Sequence, residues 1–234
     1  MKIDKTISRK GFLRKMGVGA VSSTALLSGL TSCSDDGDPA PEVESCVTSP
    51  GETAGPFPIK SPADFVNENI VGDRVGVALR INFKIENISN NCAALAGVFV
   101  DVWQCDSKGN YSEYNEQLDG DFTSKHFLRG RQVTDDKGMV SFTSVYPGWY
   151  PGRAPHLHVE ILNSSGASLL VTQTAFPEDI SKAVYATQHY KGIFDTSNNS
   201  DGEFQDSLNQ NLAESVTGDI ANGYVLNETI RVKV

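Results

Sequence analysis

The run His156-Leu157-His158-Val159-Glu160-Ile161-Leu162, entered through Tyr150-Pro151-Gly152-Arg153-Ala154-Pro155, decides how the rest of the chain is read. Leu157, Val159 and Ile161 alternate with His156, His158 and Glu160. A period of two is that of a β-strand, whose successive side chains point to opposite faces. The apolar set therefore marks a core-facing side, and the two imidazoles share the other side, where both can approach one metal ion. A His-x-His pair on a strand is also an ordinary structural feature. The remainder of the chain has to separate the two readings.

Outward from this strand the pattern repeats. Ser168 to Gln173 reads as its hairpin partner. Upstream, Val77 to Ile85 alternates apolar and polar, Gly97 to Gln104 is β-branched and aromatic, and Gly130 to Phe142 reads as strand, Gly-containing turn and strand. Val225 to Val234 closes the chain as a further strand. Asp179 to Tyr190 is predicted as a short helix, Ser112 to Lys125 as a long polar loop, and Asp195 to Asn209 as an Asn/Ser/Asp-rich surface loop. Many short strands with so little helix predict an all-β fold. The expected architecture is a β-sandwich of mostly antiparallel strands, with long active-site loops and at most one or two short helices. One such domain is expected over residues 46–234.

The residues before it differ in character. Lys2, Lys5, Arg9, Lys10, Arg14 and Lys15 precede an uncharged run, Met16 to Ser32. A basic region followed by a short apolar one predicts a signal peptide over residues 1–32. Within it, Ser8-Arg9-Lys10-Gly11-Phe12-Leu13-Arg14 resembles a twin-arginine export signal with lysine for the second arginine. Leu30-Thr31-Ser32-Cys33 resembles the bacterial lipobox, which makes Cys33 the expected lipidation site and residues 33–45 an acidic tether. The expected location is exported and lipid-anchored to a bacterial membrane, on the periplasmic or cell-surface side. Loss of the leader removes six of 20 basic and one of 29 acidic residues, leaving 14 against 28 and a net charge of −14. That sign excludes a nucleic-acid partner. With Cys33 acylated, Cys46, Cys92 and Cys105 remain in an oxidising compartment. A strand-like run separates Cys92 from Cys105 and holds their ends too far apart to bridge. The expected pair is Cys46–Cys92, with Cys105 buried and reduced.

Several scattered pieces now read together. Tyr111, then Leu128-Arg129-Gly130-Arg131, Thr134-Asp135 with Gly138 and Phe142, and Pro147-Gly148-Trp149-Tyr150-Pro151-Gly152-Arg153 leading to His156-x-His158 resemble the intradiol ring-cleavage dioxygenases. The nearest branch is an exported group similar to the β subunit of protocatechuate 3,4-dioxygenase. The resemblance runs from about Thr53 to the Gln173 strand, and more weakly beyond it, and implies one iron(III) per chain, held by Tyr111, Tyr150, His156 and His158. Phenolate is a hard anionic oxygen donor suited to a trivalent ion, and imidazole suits iron as well, whereas zinc sites favour Cys, His and carboxylate. The same resemblance implies catalytic roles for three residues. Tyr150 is displaced by the entering substrate and takes its proton, Arg153 stabilises charge on the ring, and Gln173 hydrogen-bonds near it. Thr53, Gly55 and Pro56 match a loop near the pocket mouth. Longer family members insert several residues where this chain has only Pro151-Gly152 between Tyr150 and Arg153, which implies a more open pocket that tolerates larger rings.

Singly, these residues have plainer readings. Arg131 and Asp135 are read as a structural pair supporting a turn, Trp103 and Phe142 as core, Trp149 as pocket wall or core, and His126 and His189 as ordinary. The expected partners are a small aromatic diol and dioxygen, with the membrane reached through the lipid. Catechol, protocatechuate, hydroxyquinol and plant phenolics all fit as substrate, and homo-oligomerisation is left open. The rival function is a non-catalytic β-sandwich surface module binding glycans or proteins. Retention of all four ligand types together with Arg153 argues against it.

Overall fold

Leu79, Ile81, Phe83 and Ile85 are buried at every second position of β1 (Ala78–Asn87), the hub of the first sheet. The structure, a computed structural model, describes residues 46–234, so the expected leader (1–32) and the tether (33–45), Cys33 included, lie outside the described residues. β1 pairs antiparallel with β2 (Ala93–Ala94) and β5 (Met139–Val145), and parallel with β9 (Gly223–Val232), which carries β8 (Ser215–Asp219) on its far side. The second sheet runs β4-β3-β6-β7 and is antiparallel throughout: β3 is Phe99–Trp103, β4 Arg129–Val133, β6 His156–Leu162 and β7 Ser168–Ala175. β8 carried no sequence signal because Ser-Val-Thr-Gly-Asp is half polar and largely exposed.

The two sheets face each other across one core. Leu79, Ile81, Phe83, Phe142, Leu226 and Ile230 from the first meet Val100, Val102, Leu157, Val159 and Ile161 from the second. Each fully buried Ile, Leu or Phe contributes about 1.5–3 kcal/mol, so this row fixes the β6 register. A one-residue slip would turn His156 and His158 into the core. Cys46 and Cys92 form the expected disulfide, with Cα atoms 5.8 Å apart, and Cys105 is free and buried.

Three expectations change. The helix, α1, covers Glu178–Tyr185 and stops short of Tyr190. Thr187 turns back onto the Val184 carbonyl through its N–H (3.0 Å) and hydroxyl (2.8 Å), a local bond that competes with further helix. Arg131 pairs with Asp101, which faces it across the β3–β4 ladder, at 2.5 and 2.6 Å. Asp135 instead caps its own turn, accepting from Lys137 N and Met139 N. Finally, the stretch read as a surface loop contains buried Asn198, Asp201 and Phe204 and ends in a one-turn helix, α2 (Leu208–Asn211).

Candidate metal centre

β6 exposes His156 and His158 on the face turned away from the sandwich core, and loops bury them there. Cross-strand register sets the neighbours. His158 is paired with Trp103 on one side and Gln173 on the other, and Trp103 with Arg129 beyond it. Residues directly opposite share a face, so Arg129, Trp103, His158 and Gln173 form one row across the four strands. Trp103 stacks on His158 with ring centroids 5.0 Å apart and planes 2° from parallel. Gly55 closes over the same ring; a Cβ there would meet His158 Cε1 at 2.9 Å, so this approach requires glycine. Arg129, 2% exposed, donates to the Ser112 hydroxyl and the carbonyls of Ser112 and Phe57, tying the loop after Tyr111 to the loop that carries Gly55.

Both tyrosines come from loops. Asp106 caps the turn before Tyr111, accepting from Lys108 N and Asn110 N, and Gln117 accepts from Tyr111 N at 2.9 Å. The Tyr150 loop is anchored to α1, where Tyr185 Oη donates to the Pro147 carbonyl (3.0 Å) and Tyr146 Oη meets Ser181 Oγ (2.8 Å). Two glycines let these loops touch backbone to backbone. A Cβ on Gly109 would lie 2.3 Å from the Trp149 carbonyl oxygen, and one on Gly148 would lie 2.2 Å from that of Asp106. The contact brings Tyr111, 1% exposed, edge-on to half-buried Tyr150.

Four donor atoms converge. His156 Nε2 lies 3.1 Å from His158 Nε2, 3.2 Å from Tyr150 Oη and 3.5 Å from Tyr111 Oη. Arg153 borders the cluster, with Nη1 3.4 Å from Tyr150 Oη and Nη2 donating to Gln173 Oε1 at 2.5 Å. The structure thus brings together Tyr111, Tyr150, His156, His158, Arg153 and Gln173. Thr53 joins them, accepting from Gln173 Nε2 through its carbonyl at 2.8 Å. His126 lies elsewhere, bonded to Glu113 and stacked on Phe65, and Trp149 is tied to the Gly192 carbonyl against the main core.

A family model described as Dioxygenase matches residues 58–188, more than half of the chain. The chain belongs to the intradiol ring-cleavage dioxygenase family. It is 29% identical over 120 residues to the protocatechuate 3,4-dioxygenase beta chain of Burkholderia cepacia, covering 48% of each protein. It is 28% identical over 144 residues to the hydroxyquinol 1,2-dioxygenase of Rhizobium sp. (strain MTP-10005), covering 53% of this chain and 46% of the relative. The chain therefore spans about half the length of these curated relatives. Among solved structures, an intradiol ring-cleavage dioxygenase from Tetranychus urticae superposes with a TM-score of 0.70 at 28% identity, covering 80% of this chain and 95% of that one.

For an intradiol dioxygenase the question is whether this donor set fits iron(III), and it does. His156 Nδ1–H donates to the Ala154 carbonyl at 2.6 Å, which leaves Nε2 as a lone pair aimed into the cluster. Burial pushes His156 down to about 3, with Arg153 adding to the effect. Burial likewise drives His158 far below the usual imidazole range, with His156 and Arg153 assisting. Both rings are thus neutral and able to ligate. His158 likewise turns Nε2 to the cluster, 3.1 Å from His156 Nε2. Burial raises the phenols, Tyr111 well above its ordinary value and Tyr150 to about 12, where Arg153 pulls back. A trivalent cation at bonding distance reverses that balance, as it does for metal-bound thiols and water. Among the described residues no group of three or more His, Cys, Asp or Glu could hold a metal. Two phenols and two imidazoles form a harder set, which favours ferric iron over zinc.

Sequence reasoning missed Asp201, which accepts from Arg153 Nε with both oxygens (3.0 and 2.9 Å) and from Ala154 N (2.6 Å). The available signal was Phe204, a lone aromatic in a polar stretch.

Proposed function

We propose that the protein is a mononuclear non-haem iron(III) dioxygenase that opens catechol-type rings between the two hydroxyl-bearing carbons. The observation that carries the proposal is the convergence of Tyr111 Oη, Tyr150 Oη, His156 Nε2 and His158 Nε2 beside the Arg153 guanidinium. In the overall reaction both atoms of dioxygen enter the product. The bond between the two oxygen-bearing carbons breaks, each carbon ends as a carboxylate, and two protons are released with the muconate-type dicarboxylate. When bound, ferric iron would supply Lewis acidity and a template that orients the catechol and makes its ring electron-rich toward dioxygen.

The chain's residues divide the remaining tasks. Tyr150 is the more exposed phenol and the one beside Arg153, so its Oη is placed to take a proton from the entering catechol. Arg153 presents a fixed positive charge where negative charge develops on the ring. Gln173, fully buried, accepts from Arg153 Nη2 and donates to the Thr53 carbonyl, so it holds the guanidinium in place. Trp103, Phe57 and Tyr111 form an apolar wall that limits water. The relatives are named for protocatechuate and hydroxyquinol, and the two-residue Pro151-Gly152 link favours acceptance of larger catechols.

Iron(III) reconstitution tests the proposal. Phenolate-to-iron charge transfer should colour the protein burgundy-red, catechol should shift the band, and oxygen uptake should follow one to one with ring opening. A reconstituted protein that stays colourless and iron-free defeats it. Export and lipid attachment at Cys33 belong to the same proposal, supported by the Cys46–Cys92 disulfide, since such bonds persist in oxidising compartments. Cell-derived protein should partition into detergent, and Cys33→Ser should abolish this. Wild-type protein that stays in the aqueous phase removes the anchor.

A further inference from the structure

We propose that Asp201 is a positioning residue of this site, setting the Arg153 guanidinium beside the donor cluster. The catalytic unit therefore extends past the stretch matched by the family model, into residues 198–211. The inference rests on the dioxygenase reading above and deepens it.

Asp201 is 0% exposed, and both its oxygens are fully engaged. Oδ1 accepts from Arg153 Nε (3.0 Å) and Glu203 N (2.9 Å); Oδ2 accepts from Arg153 Nε (2.9 Å) and Ala154 N (2.6 Å). The direction of the grip matters. An arginine offers five N–H donors in a rigid fork, and Asp201 takes only the Nε edge. Nη1 and Nη2 stay turned toward Tyr150 Oη and Gln173 Oε1. Phe204, three residues on, lies beside both the guanidinium (5.6 Å) and the His156 ring (6.5 Å).

The bond to Ala154 N adds a second constraint. Arg153 and Ala154 lie between the donors Tyr150 and His156, so Asp201 fixes the backbone that joins them. Its own segment is anchored independently. Asn198 donates to the Phe176 carbonyl (2.9 Å), Asn211 to the Gln173 carbonyl (2.9 Å), and Ala213 N to the Ala175 carbonyl (3.0 Å). A closed circuit results, because Gln173 donates to the Thr53 carbonyl and Thr53 Oγ1 donates to Glu203 Oε2 at 2.8 Å. Four separate chain segments thereby fix one cation.

A plain structural ion pair would show the same distances, so the test has to separate the two roles. In iron-reconstituted protein, Asp201→Asn keeps the visible band and lowers kcat roughly 10- to 100-fold, the usual effect of losing an orienting partner, with little change in KM. Arg153→Gln lowers kcat at least as far, and the double variant falls no further than Arg153→Gln alone, because Asp201 acts through Arg153. In the metal-free protein, the Arg153 Nε–H resonance is shifted and slow to exchange, and Asp201→Asn returns it toward that of a free arginine. Asp201→Glu, which keeps the charge but moves it by one methylene, also lowers kcat. Additive losses in the double variant, or an unchanged kcat in Asp201→Asn, overturn the positioning role while leaving the dioxygenase reading intact. Failure of both Asp201 variants to fold also overturns it, in favour of a structural pair. A wild type that neither colours nor opens catechols removes the reading beneath it.

Discussion

Glu228 stands on the core-facing side of β9, between Leu226 and Ile230, and is 8% exposed. Its Oε2 has no hydrogen-bond partner. Burial pushes the carboxyl up to about 8; the Thr174 hydroxyl opposes the shift and the Glu214 carboxylate adds to it. The folded chain thus holds this proton more tightly than the unfolded chain, whose value is 4.5. Stability tied to Glu228 is fully present below about pH 4.5 and is lost as pH rises through about 8. The loss approaches about 1.4 kcal/mol per pH unit within that window, with a ceiling of roughly 5 kcal/mol. Glu228→Gln removes the titration but leaves an amide short of partners, at a cost of about 1–3 kcal/mol. The variant should therefore melt below wild type at pH 5 and above it at pH 9. Each kcal/mol should move the midpoint by about 2–4 °C in a domain of this size. Calorimetric melts across that range measure the difference between the two proteins. A difference that stays constant from pH 5 to 9 would refute the reasoning, because it would mean Glu228 ionises as freely in the fold as in the unfolded chain.

Further perturbations probe the site and its frame. Arg153→Ala should retain the iron colour and lose roughly 100-fold or more in kcat, whereas His158→Ala should lose the colour, both read by visible spectroscopy beside oxygen uptake. Tyr111→Phe should weaken iron retention more than Tyr150→Phe in chelator competition, because Tyr111 is clamped by Gln117 and ring contacts while Tyr150 is half-exposed. Gly109→Ala sets a Cβ 2.3 Å from the Trp149 carbonyl at φ +91 and should cost about 2–4 kcal/mol in urea melts. Gly166→Ala, at φ +85 with no atom within 4 Å, should cost only about 1 kcal/mol; equal losses would remove the loop-contact argument. Arg131→Ala leaves Asp101 buried and unpaired, at about 3–5 kcal/mol. Burial already raises the Asp101 carboxyl, so that deficit should shrink as pH falls and Asp101 takes up a proton.

How much of this was legible in the sequence depended on how far each feature reached. Alternation along His156–Leu162 is local, and it correctly assigned the core face and the histidine face. Register is not local. The pairing of Arg131 with Asp101 depends on which residue of β3 faces which of β4, and no period within either strand specifies that, so Asp135, close in sequence, looked like the partner. Asp201 was the harder case. A polar run with no period reads as solvated loop, and its burial follows from bonds to Arg153 and Ala154 that exist only once the chain has closed over β6.

The four donors also differ in how they are held, and the difference has a direction. His156 and His158 sit on a central strand whose other face is locked in the sandwich core. Tyr111 sits on a loop, yet it is 1% exposed and its backbone is pinned by Gln117. Tyr150 is half-buried, beside a Pro-Gly link whose Gly152 N donates to the exposed Asp195 carboxylate. Constraint therefore falls from the imidazoles through Tyr111 to Tyr150. Arg153, Gln173 and Thr53 collect on the Tyr150 side, each delivered by a different loop or strand. A site that must admit a chelating substrate needs one adjustable donor among fixed ones, with its positive charge already in place beside that donor. The packing of this chain meets both conditions at Tyr150, and Asp201 is what keeps Arg153 there.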